Sequence, residues 1–267
     1  MMQSIKKIKI LRDSIKQIKN WYNPINYYLG ISSKHGIIYF KNGIKCIMRN
    51  KSDSIAFFEN YFLKLNNPNE KFEIKKNNTV IDIGAHIGYF TIYAAKNAYQ
   101  GIIYSIEPYR ESFEILKKNL KLNNLTNVKP FHAAISKATE QVTLYIDKNN
   151  QIGNSIFRTD ETTESEKVDS FSLGDFVKNN KIEKIDFLKI DCEGAEFEIL
   201  LNLDKELMKN INRISAEVHE NSNTDSIDKL VDFLSKNNFG VSISNLLDDS
   251  TTKLSMLYAE NKEFRET

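Results

Sequence analysis

From Asn77 onward, apolar runs of strand length alternate with amphipathic stretches of helix length, and few chain folds accommodate that order. The first cycle is VIDIG, then a helical stretch from Tyr89 to Asn97, then IIYSIE, then RESFEILKKNLKLNN. Segments NVKPFHAAI and QVTLYID read as two more strands, followed by a polar loop over 148–166 and a helix starting near Ser172. IDFLKID, a helix from Ala195, RISAEVH, the helix TDSIDKLVDFLSKNN and the strands FGVSIS and KLSMLYAE complete the series. Strands separated by helices pair in parallel through right-handed crossovers, so an α/β fold with a mostly parallel sheet is expected. The last two strands have no helix between them and are expected to pair antiparallel at one edge.

The segment before Asn77 has a different texture. GIIYFKNGIKCIMR reads as a hairpin turning at Asn42-Gly43, and SDSIAFFENYFLKL reads as helix. Residues 1–75 are therefore expected to form a helix and cap, and 76–267 the main fold, together one structural unit. Within residues 1–22, Ile5, Ile8, Leu11, Ile15, Ile18 and Tyr22 recur at spacings of three and four, one apolar helix face. Six basic residues stand there against the single acid Asp13, a local charge of +5. The plainer reading docks this stripe on the chain's own domain; the other lays it on an anionic membrane or a partner.

Composition excludes some functions. The 37 basic and 35 acidic residues leave a net charge of +2, too balanced to advertise nucleic acid as a partner. Cys46 and Cys192 are the only cysteines and form no CxxC pair, which fits a reducing, cytoplasmic setting. No apolar run reaches membrane-spanning length, and no apolar core follows the lysines near Met1 in the manner of a secretion signal.

Chemistry gathers where strands end, because ligands of open parallel sheets settle beyond the carboxyl ends of the strands. The first strand runs into Asp82, Gly84, Ala85, His86 and Gly88, a D-x-G-x-x-x-G turn. A dinucleotide fingerprint needs a glycine where His86 stands, and no Gly-Lys-Ser/Thr follows to make a phosphate loop. The turn thus suits a ligand without phosphates, or is an ordinary structural turn. Glu107 ends the second strand, nineteen residues after Gly88, where a carboxylate can accept both hydroxyls of a ribose. Residues 132–135 stand where backbone contacts could line an adenine.

Two further strands end in acids: Asp191 and Glu193 in KIDCEGAE, Glu217 and His219 in SAEVHE. Three readings stay open for this rim: His219 as general base, a Mg²⁺ or Mn²⁺ site built from Asp191, Glu217 and His219, or substrate binding and structure. Glu193 and Glu196 also read as ordinary first-turn acids facing a helix dipole, Cys192 as a buried spacer, and His35 and His132 as structural. The loop D-C-E-G lacks the proline and aromatic with which base-methylating enzymes stack a flipped base.

Together, IDIGAHIGYFT, IEP, IDFLKIDCEGAEFEIL and ISAEVH resemble the FkbM-type S-adenosylmethionine-dependent methyltransferases. The resemblance covers roughly Ser52 to Ala259. It implies a Rossmann-like, seven-stranded class I methyltransferase fold with an antiparallel last strand, and O-methylation of a sugar, glycan, lipid-linked or other small hydroxylated acceptor. It implies cofactor contacts for Asp82, Gly84, Ala85, His86, Gly88 and Glu107, and for Glu59 in FFENYF, while His86 stands where the family often has asparagine. Two other classes compete: a nicotinamide-dependent oxidoreductase and a non-catalytic membrane-associated scaffold.

Overall fold

The computed structural model describes residues 2–32, 35–146, 154–156, 164–220, 226–248 and 253–264. The cap comprises α1 (Met2–Gln17), α2 (Tyr22–Tyr28), the antiparallel hairpin β1 (Gly36–Tyr39) and β2 (Lys45–Met48), α3 (Lys51–Phe58) and a π-helical turn, Glu59–Leu63. Then follow β3 (Thr79–Ile83), α4 (Tyr89–Asn97), β4 (Ile102–Ile106), α5 (Arg110–Leu122), β5 (Val128–Phe131), β6 (Ala134–Ser136), β7 (Glu140–Ile146) and β8 (Glu164–Ser172). The chain continues through α6 (Leu173–Asn179), β9 (Phe187–Ile190), α7 (Glu196–Leu201), α8 (Lys205–Lys209), β10 (Arg213–Glu220), α9 (Ile227–Lys236), β11 (Phe239–Asp248) and β12 (Lys253–Asn261).

Seven strands form one sheet in the order β11-β12-β10-β9-β3-β4-β5, in which β12 runs antiparallel to both neighbours. This is the class I methyltransferase arrangement, with the last strand inserted between β10 and β11. The central strands β3 and β9 are buried along nearly their whole length, because helices cover both faces, and so they read as continuous apolar runs. The series from β3 runs outward to β5, whereas β9 and β10 run the other way, so the chain reverses direction beside β3. A crevice opens at that reversal, between the carboxyl ends of β3 and β9. At the β5 edge, the carbonyls of Asn127 and Phe131 accept from β4, so the nitrogen of Pro130 turns outward.

The cap shares a core with the main fold: Ile18, Ile38, Met48 and Phe57 pack with Ile87, Tyr89, Ile92 and Ile115. Polar stitching reinforces it, since Asn123 on the end of α5 bonds both backbone groups of Lys45 and Asn119 accepts from Ile47 N–H. Asn42-Gly43 makes the expected turn, with Gly43 at φ 91°.

Three expectations need correction. NVKPFHAAI is not one strand: it breaks after Phe131, and β6 joins a separate three-stranded sheet of order β6-β8-β7. Much of the polar 148–166 loop lies outside the described residues, but its end is strand β8, a largely exposed strand with only Val168 and Ser170 buried. Finally, α1 turns Ile10, Ser14 and Ile18 inward, leaving Leu11, Ile15 and Tyr22 exposed, because the Ile18–Phe40 bridge and the Lys19 to Tyr39 bond fix its rotation. Among the described residues no helix is long and apolar enough to cross a membrane.

Candidate active site

The glycine turn at the end of β3 is shaped by backbone demands. Gly84, His86 and Gly88 have φ of 73°, 51° and 91°, in the left-handed region that favours glycine. A Cβ on Gly84 would stand 1.6 Å from the Asp191 carbonyl oxygen, and one on Gly88 would stand 2.4 Å from Leu116 Cδ1. Both glycines therefore admit protein: Gly84 lets the ends of β3 and β9 touch, and Gly88 lets α5 close on the turn. Gly84 and Ala85 N–H groups donate to the Ile106 carbonyl, each at 3.0 Å, and His86 N–H donates to Glu107 Oε2 at 2.7 Å.

Glu107 also accepts from Tyr109 N–H at 2.9 Å and is nearly buried on the wall of the crevice. Each carboxylate oxygen has a second lone pair, so both retain acceptor capacity toward the crevice. Burial, opposed by the two amide bonds, pushes its pKa up to about 7.

Asp82 has a different place from the one the resemblance implies. It is fully buried and absent from the crevice wall; Oδ2 accepts from Thr91 Oγ1 at 2.5 Å, and Oδ1 lies 3.3 Å from Lys189 Nζ. Gly88 is likewise absent from the wall, whereas Gly84, Ala85 and His86 line it. Lys189, which the sequence reading passed over, is the register partner of Asp82 on β9. Its buried ammonium donates to the Gly84 carbonyl at 2.7 Å and lies 3.2 Å from Asp191 Oδ2. Burial disfavours this charge, but Asp191 and Asp82 overcome it and raise the pKa.

His86 is held from the cap side. Its Nε2 lies 3.2 Å from Arg49 NH2 and 3.4 Å from Asp53 Oδ1, within a buried Arg49–Asp53 pair closed at 2.9 Å. Burial drives the ring's pKa down to about 4, so at neutral pH it is uncharged beside that pair. The cap thus sets the residue whose N–H orients Glu107.

The crevice also has an acidic wall of Glu59, Asp191, Glu193 and Glu217. Glu59 comes from the π-helical turn, and Glu193 adopts φ 55°, a strained value for a side chain of its size. Burial, reinforced by the neighbouring acids, pushes Glu59 up to about 7 and Glu193 to about 8, and raises Glu217 well above the ordinary range. His219 sits behind this wall, not on it. Its Nε2 lies 3.2 Å from Glu193 Oε2 and 3.9 Å from Glu217 Oε1, and its Nδ1 lies 3.3 Å from Glu196 Oε1. Burial opposes a charged ring, but the Glu196 contact and the charges of Glu193, Glu196 and Glu217 prevail and push the pKa up to about 10. The ring is therefore an imidazolium at neutral pH, a brace for carboxylates without a free lone pair.

Glu196 is fully buried and accepts from Cys192 N–H and Gly194 N–H, so it secures the turn as well as His219. Cys192 stays a thiol, its pKa raised well above normal by burial and by Glu196 and Asp191. His132 packs beside Phe113, and His35 is exposed in the cap. Among the described residues no three His, Cys, Asp or Glu side chains are grouped to hold a metal ion. Asp191, Glu217 and His219 therefore do not form a group that fits the expected Mg²⁺ or Mn²⁺.

Part of the wall is apolar, with Ala133, Ala134 and Ile135 after β5, Leu144 from β7, and Ile156, while Asn60 and Asn154 add polar groups. The crevice joins a carboxylate with spare acceptor sites, an apolar slot and an acidic wall at the reversal of the sheet.

The chain is 27% identical over 158 residues to "Methyltransferase 1" of Beauveria bassiana, a match covering 52% of this chain and 64% of that protein, so less than two thirds of the relative's length is spanned. It is also 27% identical over 179 residues to "Methyltransferase sdnD" of Sordaria araneosa, covering 56% and 69% respectively. Among solved structures, M. jannaschii TYW2 in complex with AdoMet superposes with a TM-score of 0.47 at 16% identity, covering 86% of each chain. The Methyltransferase FkbM domain matches residues 82–241, which take in the glycine turn, Glu107, Asp191, Glu193, Glu217 and His219 but not Glu59. On that match the chain belongs to the FkbM methyltransferase family.

Proposed function

We propose that the chain is an S-adenosylmethionine-dependent methyltransferase acting on a hydroxyl of a sugar, glycan, lipid-linked or other small acceptor. The observation that carries the cofactor assignment is Glu107: buried, oriented by two amides, yet facing the crevice with acceptor capacity on both oxygens. A ribose diol satisfies that demand, the apolar slot takes a purine, and the acidic wall suits an ammonium and a sulfonium. A pyrophosphate does not fit, since Gly84 and Ala85 N–H groups are already engaged and the crevice is ringed by carboxylates. That weighs against the nicotinamide alternative.

S-adenosylmethionine supplies an electrophilic methyl group on a sulfonium. An acceptor hydroxyl held in the crevice would take that methyl group and would give up its proton to a protein base. Glu217 is the assigned proton acceptor: it faces the crevice, and once ionised its raised pKa makes it a stronger base than an ordinary carboxylate, so methyl transfer is expected to quicken as pH rises and Glu217 loses its proton. His219, charged and behind it, is a positioning residue, and Asp191 shares its charge between Lys189 and the crevice.

Titration calorimetry with S-adenosylhomocysteine tests the cofactor half. The wild type is expected to bind, Glu107→Ala to lose at least tenfold in affinity, and NADH to give no heat; binding of NADH but not S-adenosylhomocysteine would overturn the reading. Transfer of labelled methyl to a panel of hydroxylated acceptors tests the other half, and products bearing only N- or C-methyl groups count against Glu217 as base to a hydroxyl.

A further inference from the structure

We infer that the outer face of α1, α2 and the turn after them is a docking surface for an anionic lipid bilayer. Seven of the eleven exposed large hydrophobic side chains among the described residues fall between Leu11 and Ile31, so the apolar surface is concentrated in the cap. Leu29 and Ile31 are 62% and 68% exposed. Trp21 and Tyr22, both exposed, meet edge to face at 6.2 Å, and such rings favour the boundary between headgroups and acyl chains.

The layout of α1 adds the second signal. At about 100° per residue, the buried side formed by Ile10, Ser14 and Ile18 is followed by exposed Leu11 and Ile15, and then by exposed Arg12, Lys16 and Lys9. An apolar strip bordered by a basic strip is the layout of a helix lying in a membrane interface. The chain's +2 is the balance of +5 over residues 1–22 and −3 over the rest, so the positive charge is placed, not spread. Asp13, the one acid there, lies 3.2 Å from Arg12. A second copy of the chain would set +5 against +5, which disfavours self-association through this face; an anionic leaflet complements it. Since no described helix can cross a bilayer, the contact is one of lying on the surface.

The test is sedimentation of the full chain with vesicles of neutral phosphatidylcholine and with vesicles containing 30% phosphatidylglycerol (about a third, enough for a negative surface potential). At least tenfold more protein is expected to pellet with the anionic vesicles, with loss of binding at high salt. Leu29→Ser/Ile31→Ser and, separately, Lys9→Glu/Arg12→Glu/Lys16→Glu are each expected to lower binding at least fivefold while leaving Tm and S-adenosylhomocysteine affinity unchanged. The loop pair lies outside regular helix, so it still reports if the charge reversal disturbs α1. Equal pelleting with both vesicle types, or full binding by both variants, overturns the inference. So does a dimer in sedimentation velocity that both variants abolish, since the face would then belong to a second copy.

Discussion

Lys189 Nζ donates to the carbonyl oxygen of Gly84 at 2.7 Å, so a buried ammonium on β9 ties down the first glycine of the turn after β3. The same cation lies 3.3 Å from Asp82, and removing it leaves a fully buried carboxylate without its counter-charge. Lys189→Met is expected to cost about 3–5 kcal/mol in urea unfolding and to weaken S-adenosylhomocysteine binding. Asp82→Asn in the same chain should recover part of the lost stability. A single variant within about 1 kcal/mol of wild type would show that the clamp is not needed.

Asp82 and Glu107 should separate cleanly, because one is behind the crevice and the other on its wall. Asp82→Asn is expected to lower Tm by several degrees while sparing ligand affinity at saturating protein stability. Glu107→Gln is expected to shift stability by less than about 1 kcal/mol but to weaken S-adenosylhomocysteine by at least tenfold, about 1.4 kcal/mol. Thermal melts and calorimetry on the same preparations decide the matter, and an interchange of the two phenotypes refutes the placement.

The two glycines should differ in tolerance. Gly84→Ala meets backbone at 1.6 Å and a positive φ together, so a loss of about 4 kcal/mol or more is expected. Gly88→Ala meets the end of a side chain instead, and about 1–3 kcal/mol is expected. Combining Gly88→Ala with Leu116→Ala should cost less than the sum of the single changes, a coupling read from a double-mutant cycle. Strict additivity would show that Leu116 is not what the glycine accommodates.

Protons at the acidic wall give stability a pH slope. His219 rises from 6.5 to about 10, and Glu193 from 4.5 to about 8. In both cases the folded chain binds more protons than the unfolded chain between the two values. Their contribution is complete below 6.5 for His219 and below 4.5 for Glu193, and it is lost as pH rises through about 10 and about 8. His86 has the opposite sign but acts only between about 4 and 6.5. Tm is therefore expected to fall from pH 7 to 10, and His219→Gln should flatten the upper part of that fall. Parallel melting curves for the two proteins across the range would remove His219 from the explanation.

Local pattern carries what local forces decide, and the errors fall where long-range contact decides. β3 and β9 were readable because strands covered on both faces must be apolar throughout. Lys189 was not, because a lysine in FLKI is unremarkable until register sets it beside Asp82, 107 positions earlier in the chain. β8 escaped because ESEKVDSFS pairs along a mostly wet face and shows little alternation in hydrophobicity. His219 was legible as a strand-end histidine, but its charge depends on Glu193 in the turn before α7 and on Glu196 at the start of that helix. On α1, the expected stripe ran through Leu11, Ile15 and Ile18, and the hairpin contacts that fix the helix's rotation keep only Ile18 of these three buried.

The outward nitrogen of Pro130 has a consequence for self-assembly. β5 is an outer rail of the sheet, and an unpaired rail invites another molecule to add its own strand and begin a polymer. At the middle of this rail the proline withholds the hydrogen that an incoming carbonyl would need, and its ring fills the space. Strand addition at that point of the rail is blocked by one missing atom.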